Sequence, residues 1–359
     1  MAVPAERDVE VPAALAGVPG IERSEYEERF FASEHPLKSW IRANTATRKY
    51  LHTVSMPYVN EMFPEYRAKL LDTLGALGLR EPEGEPEPGD QTEAIRRYAL
   101  DDLGLTMIGF RPYKAKYTFE EERDEVHITS NVLAVGYEQP WEETQTIPSR
   151  EAEIATVETY ISLVTRAISL AEFLLARGHR AQPTIKTMLV QPYFVDAGLG
   201  QMGANGQLLT PHAGSRVRLM LVLTDAPVTY DEPRDYGITE LCERCQVCVS
   251  RCPGRALTSG QIWWRGVRKF KTVDTRCVPM LAKYDNCGVC MKVCPVQRYG
   301  YQEVMEHFDR TGEVLGKGTD ELEGYTLPDR GYFGAGEMPK FTAEDFIIPT
   351  LEEGDEGIH

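Results

Sequence analysis

An α/β/α sandwich joined to a small cluster-bearing domain is the fold class this sequence predicts, on three observations. Strand-like and helix-like segments alternate between residues 93 and 235, the element order of a layered α/β body. All eight cysteines of the 359-residue chain fall between Cys242 and Cys294. Hydrophobic residues make up 42% and charged residues 26%, a balance that can bury a core. The chain divides on this reading into 1–92, a helical lead and linker; 93–235, the α/β body; 236–300, the two-cluster domain; and 301–359, an acidic tail packed on the body.

The lead ends in a Glu-, Pro- and Gly-rich linker from Arg80 to Asp90, to which no chemistry is assigned. Glu93–Leu103 reads as helix, Leu105–Phe110 as a first short strand and Val126–Tyr137 as a second. Glu151–Arg177 is the clearest helix: Ile161, Val164, Ile168, Ala171 and Leu175 recur at three- and four-residue steps, and Gly178 is placed to cap its end. Thr184–Pro192 reads as a strand, followed by a glycine-rich turn, Ala197 to Gly206. Ser215–Thr224 is a last strand, stopped at Asp225-Ala226-Pro227.

The cysteines carry the chemistry. Cys242, Cys245, Cys248 and Cys252 form C-x2-C-x2-C-x3-C-P with Pro253; Cys287, Cys290 and Cys294 form C-x2-C-x3-C-P with Pro295, preceded by Cys277. A C-x2-C-x2-C loop wraps three thiolates around one corner of a cubane, and in the bacterial two-cluster arrangement the last cysteine of each run crosses to the other cluster. Cys242, Cys245, Cys248 and Cys294 are therefore assigned to one 4Fe-4S cluster, and Cys252, Cys277, Cys287 and Cys290 to the other. Zinc sites normally pair two C-x2-C knuckles and lack the C-x3-C-P ending. Disulfides between such close thiols would need an oxidising compartment.

A net charge of −16 argues against a phosphate backbone as partner. Met1–Gly20 holds no basic region followed by an apolar run and no twin arginine, so the expected location is cytoplasmic. No stretch is expected to cross a bilayer. Gly198, Gly200 and Gly203 spell G-x-G-x-x-G, a weak dinucleotide fingerprint here because Asp225, at the ribose-binding spacing, ends a strand. The plainer reading is a loop whose glycines let its backbone approach a large cofactor.

The turn from Ala197 to Asn205, Gly214-Ser215-Arg216-Val217-Arg218, Thr224-Asp225-Ala226-Pro227, Gly266-Val267-Arg268-Lys269-Phe270, Asn286-Cys287-Gly288-Val289-Cys290 and both cysteine runs together resemble the catalytic subunit of corrinoid-dependent reductive dehalogenases over roughly residues 100–300. The related epoxyqueuosine reductases fit less well. Their Arg-Asp-Tyr-His stretch is replaced by Glu158-Thr159-Tyr160-Ile161, and their Gly-Trp-x-Gly-Lys-Asn turn by Gly200-Gln201-Met202-Gly203-Ala204-Asn205.

The resemblance implies a nitroreductase-like sandwich binding base-off cobalamin, next to a ferredoxin-like domain with two 4Fe-4S clusters. It implies cofactor contacts from Gly198, Leu199, Gly200, Gly203, Asn205 and His212, and Tyr160 as proton donor. Arg218 first, and Arg216 second, would stabilise the phenolate. His127 and His179 read as structural, and Trp263, Trp264 and Phe270 as shields for a cluster. The implied reaction replaces a halogen on an organohalide by hydrogen, with electrons from a separate ferredoxin, flavodoxin or reductase. The alternatives are an epoxyqueuosine-type cobalamin enzyme and a cobalamin-free electron relay.

Overall fold

A computed structural model describes residues 72–184, 187–264 and 267–346. The expectations for Met1–Gly20, most of the lead and the end of the acidic tail lie outside the described residues. In chain order the first part comprises α1 (Thr92–Arg97), β1 (Met107–Pro112), β2 (Asn131–Glu138), α2 (Trp141–Gln145), α3 (Arg150–Ala176), β3 (Ala181–Thr184), α4 (Val190–Asp196), β4 (Gln201–Met202), β5 (Leu208–Leu209) and β6 (Val217–Thr224). The second part holds α5 (Ile238–Cys245), α6 (Val247–Arg251), β7 (Ile262–Trp264), β8 (Val267–Lys269), α7 (Asp274–Lys283), α8 (Val289–Lys292), α9 (Pro295–Tyr299), α10 (Tyr301–Thr311), α11 (Asp320–Glu323), β9 (Tyr325–Leu327) and β10 (Gly331–Phe333).

Four strands pair in the order β1-β2-β6-β3, antiparallel throughout. Successive side chains of a strand point to opposite faces, and here both faces are apolar. Ile108, Phe110, Leu133, Val135, Met220 and Val222 pack with Leu163, Ala167, Leu170 and Leu174 of α3. Met107, Val132, Ala134, Leu221 and Leu223 face the other way, onto Met188 and onto Tyr193 and Phe194 of α4. Burial on both sides explains why β2 and β6 read as nearly unbroken apolar runs.

The expected strand over Thr184–Pro192 is displaced. The observed strand is β3, which precedes it, and Val190–Asp196 is helical. Pro183 is tolerated because β3 is an edge strand, and Pro192 because it sits in the first turn of α4, where an N–H has no helical partner.

α3 begins where the Ser149 side chain accepts from Ala152 N–H at 3.1 Å. It ends in a Schellman turn: Gly178 at φ +78° donates to Leu175 O, and His179 to Leu174 O. The buried stripe is rotated from the expected one. Leu163, Ala167, Leu170 and Leu174 are fully buried beside Val164, Ala171 and Leu175, whereas Ile161 and Ile168 lie at the margin. Contrary to expectation, α3 is long and apolar enough by length and composition to cross a membrane; its apolar stripe is the one packed on the sheet. The Arg80–Asp90 linker is a strap across the end of this helix. Glu83 and Glu87 N–H donate to Leu175 O and Arg177 O, and a Cβ on Gly178 would stand 2.3 Å from Glu85 O.

A second core gathers Leu241, Val247, Val289, Val293 and Val296 around the cysteines, joined by Val304, Phe308, Leu322, Tyr325 and Leu327. The segment after residue 300 is thus part of the cysteine core. Arg251, 1% exposed, donates to the backbone carbonyls of Glu323, Phe333 and Glu337 and lies over the Tyr325 ring, tying that segment down beside Cys252. The two cores meet at a tight seam. A Cβ on Gly214, just before β6, would stand 2.7 Å from Gln297 Cα in α9.

Candidate cluster and substrate site

All eight cysteines are free thiols. Cys242, Cys245, Cys248 and Cys294 line one cavity, with Ala204 and Asn205 of the glycine-rich turn. Cys252, Cys277, Cys287 and Cys290 line a second, of about 320 Å³. Each set mixes cysteines from both runs, with Cys252 and Cys294 exchanged. Among the described residues no three His, Cys, Asp or Glu side chains gather closely enough for a single metal ion, so each set surrounds a volume rather than a point. Four thiols around a cavity suit a cubane.

The backbone is bent to achieve this. Among the described residues, the non-glycine positions with positive φ are Gln246, Arg255, Asp285, Asn286 and Cys287, all in the cysteine segment. Gln246 turns the chain between Cys245 and Cys248, and the run from Asp285 to Gly288 wraps it around Cys287 and Cys290. Asp285 and Asn286 adopt left-handed conformations readily, but Gln246, Arg255 and Cys287 resist them, and their strain marks a site built at some cost in stability. Ala204 N–H donates to Cys242 Sγ at 3.4 Å and Ala256 N–H to Cys252 Sγ at 3.3 Å. Burial pushes the thiols of Cys242, Cys287 and Cys294 up to about 12, and those of Cys248 and Cys290 well above the usual range. A cationic iron-sulfur core would relieve that penalty by holding them as thiolates.

The larger cavity reaches the sheet body, where Glu153, Thr156 and Arg218 line it opposite the cysteines. The Arg218 guanidinium lies over the Tyr160 ring, 5.5 Å from its centroid, and Tyr160 itself is 46% exposed. Arg218 Nη2 donates to Gln139 Oε1, which also accepts from Thr156 Oγ1 at 3.1 Å. Arg216 is spent elsewhere: its Nη1 donates to Gln139 O at 2.8 Å and pairs with Glu138. The structure therefore brings Tyr160 and Arg218 together and holds the buried Arg216 in an ion pair with the part-exposed Glu138.

The glycine-rich turn is only partly at the site. Asn205 lines both cavities, and the neighbouring Gly206 and Gln207 line the larger. Gly198, Leu199 and Gly200 line neither. A Cβ would meet Glu232 O at Gly198 and Leu209 O at Gly200, both at 2.5 Å, and Leu199 packs under the sheet, so these residues serve packing. Gly203 is pressed against Leu209 in the same way. His212 is exposed and lines neither cavity. His127 is exposed, and His179 is buried with its Nδ1 4.0 Å from Asp225; neither lines a cavity. Phe270 is buried in the cysteine core; the side chains of Trp263 and Trp264 lie outside what is described.

The residues that sequence reasoning missed are Gln139, Glu153, Thr156 and Asp285. Glu153, Thr156 and Tyr160 stand at i, i+3 and i+7 of α3, one face of a helix; that polar stripe beside the apolar one was the available signal. Burial, reinforced by the Asp285 carboxylate and opposed by Arg150, pushes the Glu153 carboxyl up to about 7 from 4.5. Between those values the folded chain keeps a proton that the unfolded chain has released, so stability falls as pH rises through the window, by roughly 3 kcal/mol in all. Glu153→Gln is expected to remove this slope. Its thermal midpoint should match that of wild type near the bottom of the window and exceed it progressively up to about pH 7.5 in melts followed by circular dichroism.

Buried polar atoms without a hydrogen-bond partner concentrate where sheet and cysteine core meet: Gln139 Nε2, Asn205 Nδ2, Gln207 Oε1, Ser215 Oγ, the Nε of Arg216 and Arg218, and both side-chain polar atoms of Gln297. Native proteins rarely leave such groups unpaired. The seam extends the site beyond the cavity and suits a large ring rimmed with amides, the chemistry of a corrinoid.

No family model matches the chain. The tetrachloroethene reductive dehalogenase of Sulfurospirillum multivorans is 33% identical over 177 residues, covering 46% of this chain and 35% of that protein. An epoxyqueuosine reductase of a Synechococcus species is 34% identical over 112 residues, covering 30% of this chain and 34% of that protein. Among solved structures, a reductive dehalogenase interpreted in terms of B12-dependent dehalogenation has a TM-score of 0.57 at 19% identity, over 77% of this chain and 46% of that one. A catabolic reductive dehalogenase in complex with 3-bromo-4-hydroxybenzoic acid gives 0.57 at 17% identity, over 80% and 48%. The chain spans about a third of the length of these curated relatives and just under half of the solved chains. At 17–19% identity the structural likeness concerns the fold.

Proposed function

We propose that this chain, a relative of the reductive dehalogenases, catalyses replacement of a halogen on an organohalide by hydrogen with two electrons and one proton. The observation that carries the reading is a single cavity bounded on one side by Cys252, Cys277, Cys287 and Cys290 and on the other by Arg218, which itself lies over Tyr160. Reducing equivalents and a proton donor thus converge on one place. In this reading the body is a nitroreductase-like sandwich, the cysteine core a ferredoxin-like domain with two 4Fe-4S clusters, and the polar seam the seat of cobalamin.

When bound, the corrinoid would supply the reducible metal at which the carbon–halogen bond is broken, fed one electron at a time by the clusters. Tyr160 holds the proton on its phenol oxygen and gives it to the carbon as the halide leaves. Arg218 is fixed by Gln139 and stabilises the resulting phenolate. Asn205, Gln207, Ser215 and Gln297 would bind the cofactor rim through the polar atoms that lack partners.

A second reading draws on the 34%-identical epoxyqueuosine reductase segment: the same proton and electron sources would serve reduction of an epoxide. Anaerobic reconstitution with iron, sulfide and hydroxocobalamin, followed by assay of halide release from chlorinated ethenes and brominated phenols, tests the proposal. One cobalt bound per chain and one halide released per two electrons is the expected result. Full iron with no cobalt bound overturns it and leaves an electron relay; bound cobalt without halide release favours the epoxide reading.

A further inference from the structure

We propose that the face formed by the β7–β8 hairpin and its flanking loops is the docking surface for an acidic one-electron carrier protein. The proposal rests on the reading that Cys252, Cys277, Cys287 and Cys290 hold an iron-sulfur cluster, which the carrier would reduce. In a chain of net charge −16, the described part of residues 255–276 carries Arg255, Arg268, Lys269, Lys271 and Arg276 against one acid, Asp274. Arg255, Arg268 and Arg276 are exposed. Ile262 and Val273 stand between them, each 38% exposed, among the few large apolar side chains that the described residues leave to solvent. Apolar residues ringed by charge of one sign are the anatomy of a protein interface.

This face is the outer side of the cavity wall. Pro253, Gly254, Ala256, Leu257 and Thr272 line the cavity from within, while Arg255 and Val273, their chain neighbours, are exposed. The wall is tied directly to the thiol-bearing backbone. Arg255 N–H donates to Cys252 O at 2.9 Å, Val273 N–H to Ala256 O at 2.7 Å and Cys277 N–H to Val273 O at 3.0 Å. Arg276 Nε donates to Gly254 O at 2.7 Å. A carrier seated here is separated from the cluster by one layer of backbone. The step is a bare electron transfer: the carrier is oxidised by one electron, the cluster is reduced by one, and no atom moves.

Charge chooses the kind of partner. A nucleic acid would need a basic track extending beyond the patch, whereas the rest of the chain is strongly acidic and repels phosphates. A small carrier needs only the patch, with its own acids against the arginines and an apolar contact against Ile262 and Val273. Steering of this kind raises association rates by about 10 to 10³ at low salt.

The test uses the full chain reconstituted with iron and sulfide, and a reduced acidic flavodoxin as probe in anaerobic stopped flow. The doubly charge-reversed variant, Arg255→Glu with Arg268→Glu, alters no thiol and no residue of the substrate site. Its reduction by flavodoxin is expected to be at least about 10-fold slower at low salt, with the salt dependence flattened. Reduction by photoreduced deazaflavin, small and uncharged, should be unchanged. Equal flavodoxin rates and salt slopes in wild type and variant overturn the docking surface, as does an RNA stem–loop that binds wild type alone while those rates stay equal. Iron content is measured first: a wild-type chain that takes up no clusters overturns the underlying reading, whereas full clusters with equal rates overturn the surface alone.

Discussion

Cys294→Ala is expected to abolish the cluster of Cys242, Cys245 and Cys248, which lie at least 46 residues earlier in the chain, and to spare that of its neighbours Cys287 and Cys290. A reconstituted wild-type chain should take up about eight irons, and this variant about four. Cys252→Ala should lose the other four, with the converse pairing. The expectation follows from the exchange of Cys252 and Cys294 between the two cavities. Double variants sharpen it. Cys242→Ala combined with Cys294→Ala should lose no more iron than either alone, because both disable one cluster; Cys242→Ala combined with Cys252→Ala should retain almost none. Iron analysis and EPR of the reduced proteins check each outcome. Loss of all iron on combining Cys242→Ala with Cys294→Ala would mean that each run serves its own cluster.

Tyr160→Phe is expected to lower kcat for halide release by about 10² to 10⁴, the range associated with losing a positioned proton donor. Cobalt and iron contents should be unchanged, since Tyr160 lines neither cavity. Arg218→Gln should have a comparable effect, because a neutral amide cannot stabilise a phenolate and leaves Gln139 without its guanidinium partner. Arg216→Gln should act differently. Its ion pair with Glu138 and its bond to Gln139 O are structural, so the loss should show in thermal stability before turnover. Kinetics of the three variants alongside their melting curves separate these roles. Wild-type turnover in Tyr160→Phe would remove the tyrosine from the mechanism.

Much of this site was legible in the amino-acid order, and what was missed has physical reasons. The spacing of the two cysteine runs is the one associated with a cubane, so the two thiol sets that line the two cavities could be written from the sequence. Arg218 could be reached because residues of one strand two apart share a face, but that rule treats Arg216 alike. The structure distinguishes them: β6 begins at Val217, so Arg216 stands just before the strand, and its guanidinium pairs with Glu138, far away in the chain. The strand expected over Thr184–Pro192 is displaced because Pro183, just before it, is tolerated by an edge strand and Pro192, at its end, by a first helical turn, features invisible without neighbours. The glycine-rich turn carried a signal with two causes. Gly198 and Gly200 are small because other backbone crowds them, whereas Asn205 and Gly206 border the cavities. Glu153 escaped notice because a carboxylate near the start of a helix usually answers the helix dipole, and nothing local says that it is buried.

On the proposed reading, in which clusters in the cysteine core feed a corrinoid in the seam, the close approach of Gly214 and Gln297 bears on electron tunnelling, whose rate decays exponentially with the gap to be crossed. With no room even for a methyl group between Gly214 and Gln297, and with Ala204 N–H on Cys242 Sγ holding the same junction, sheet body and cysteine core are pressed together where β6 begins. Two bodies joined by a slack hinge would sample long and short gaps and pass current only in the short ones. Here the smallest residue at a single position lets the two halves close to backbone contact, so the gap is set by packing rather than by chance encounter. A larger side chain at Gly214 would act as a spacer in a circuit, lengthening the jump without touching any group that carries charge.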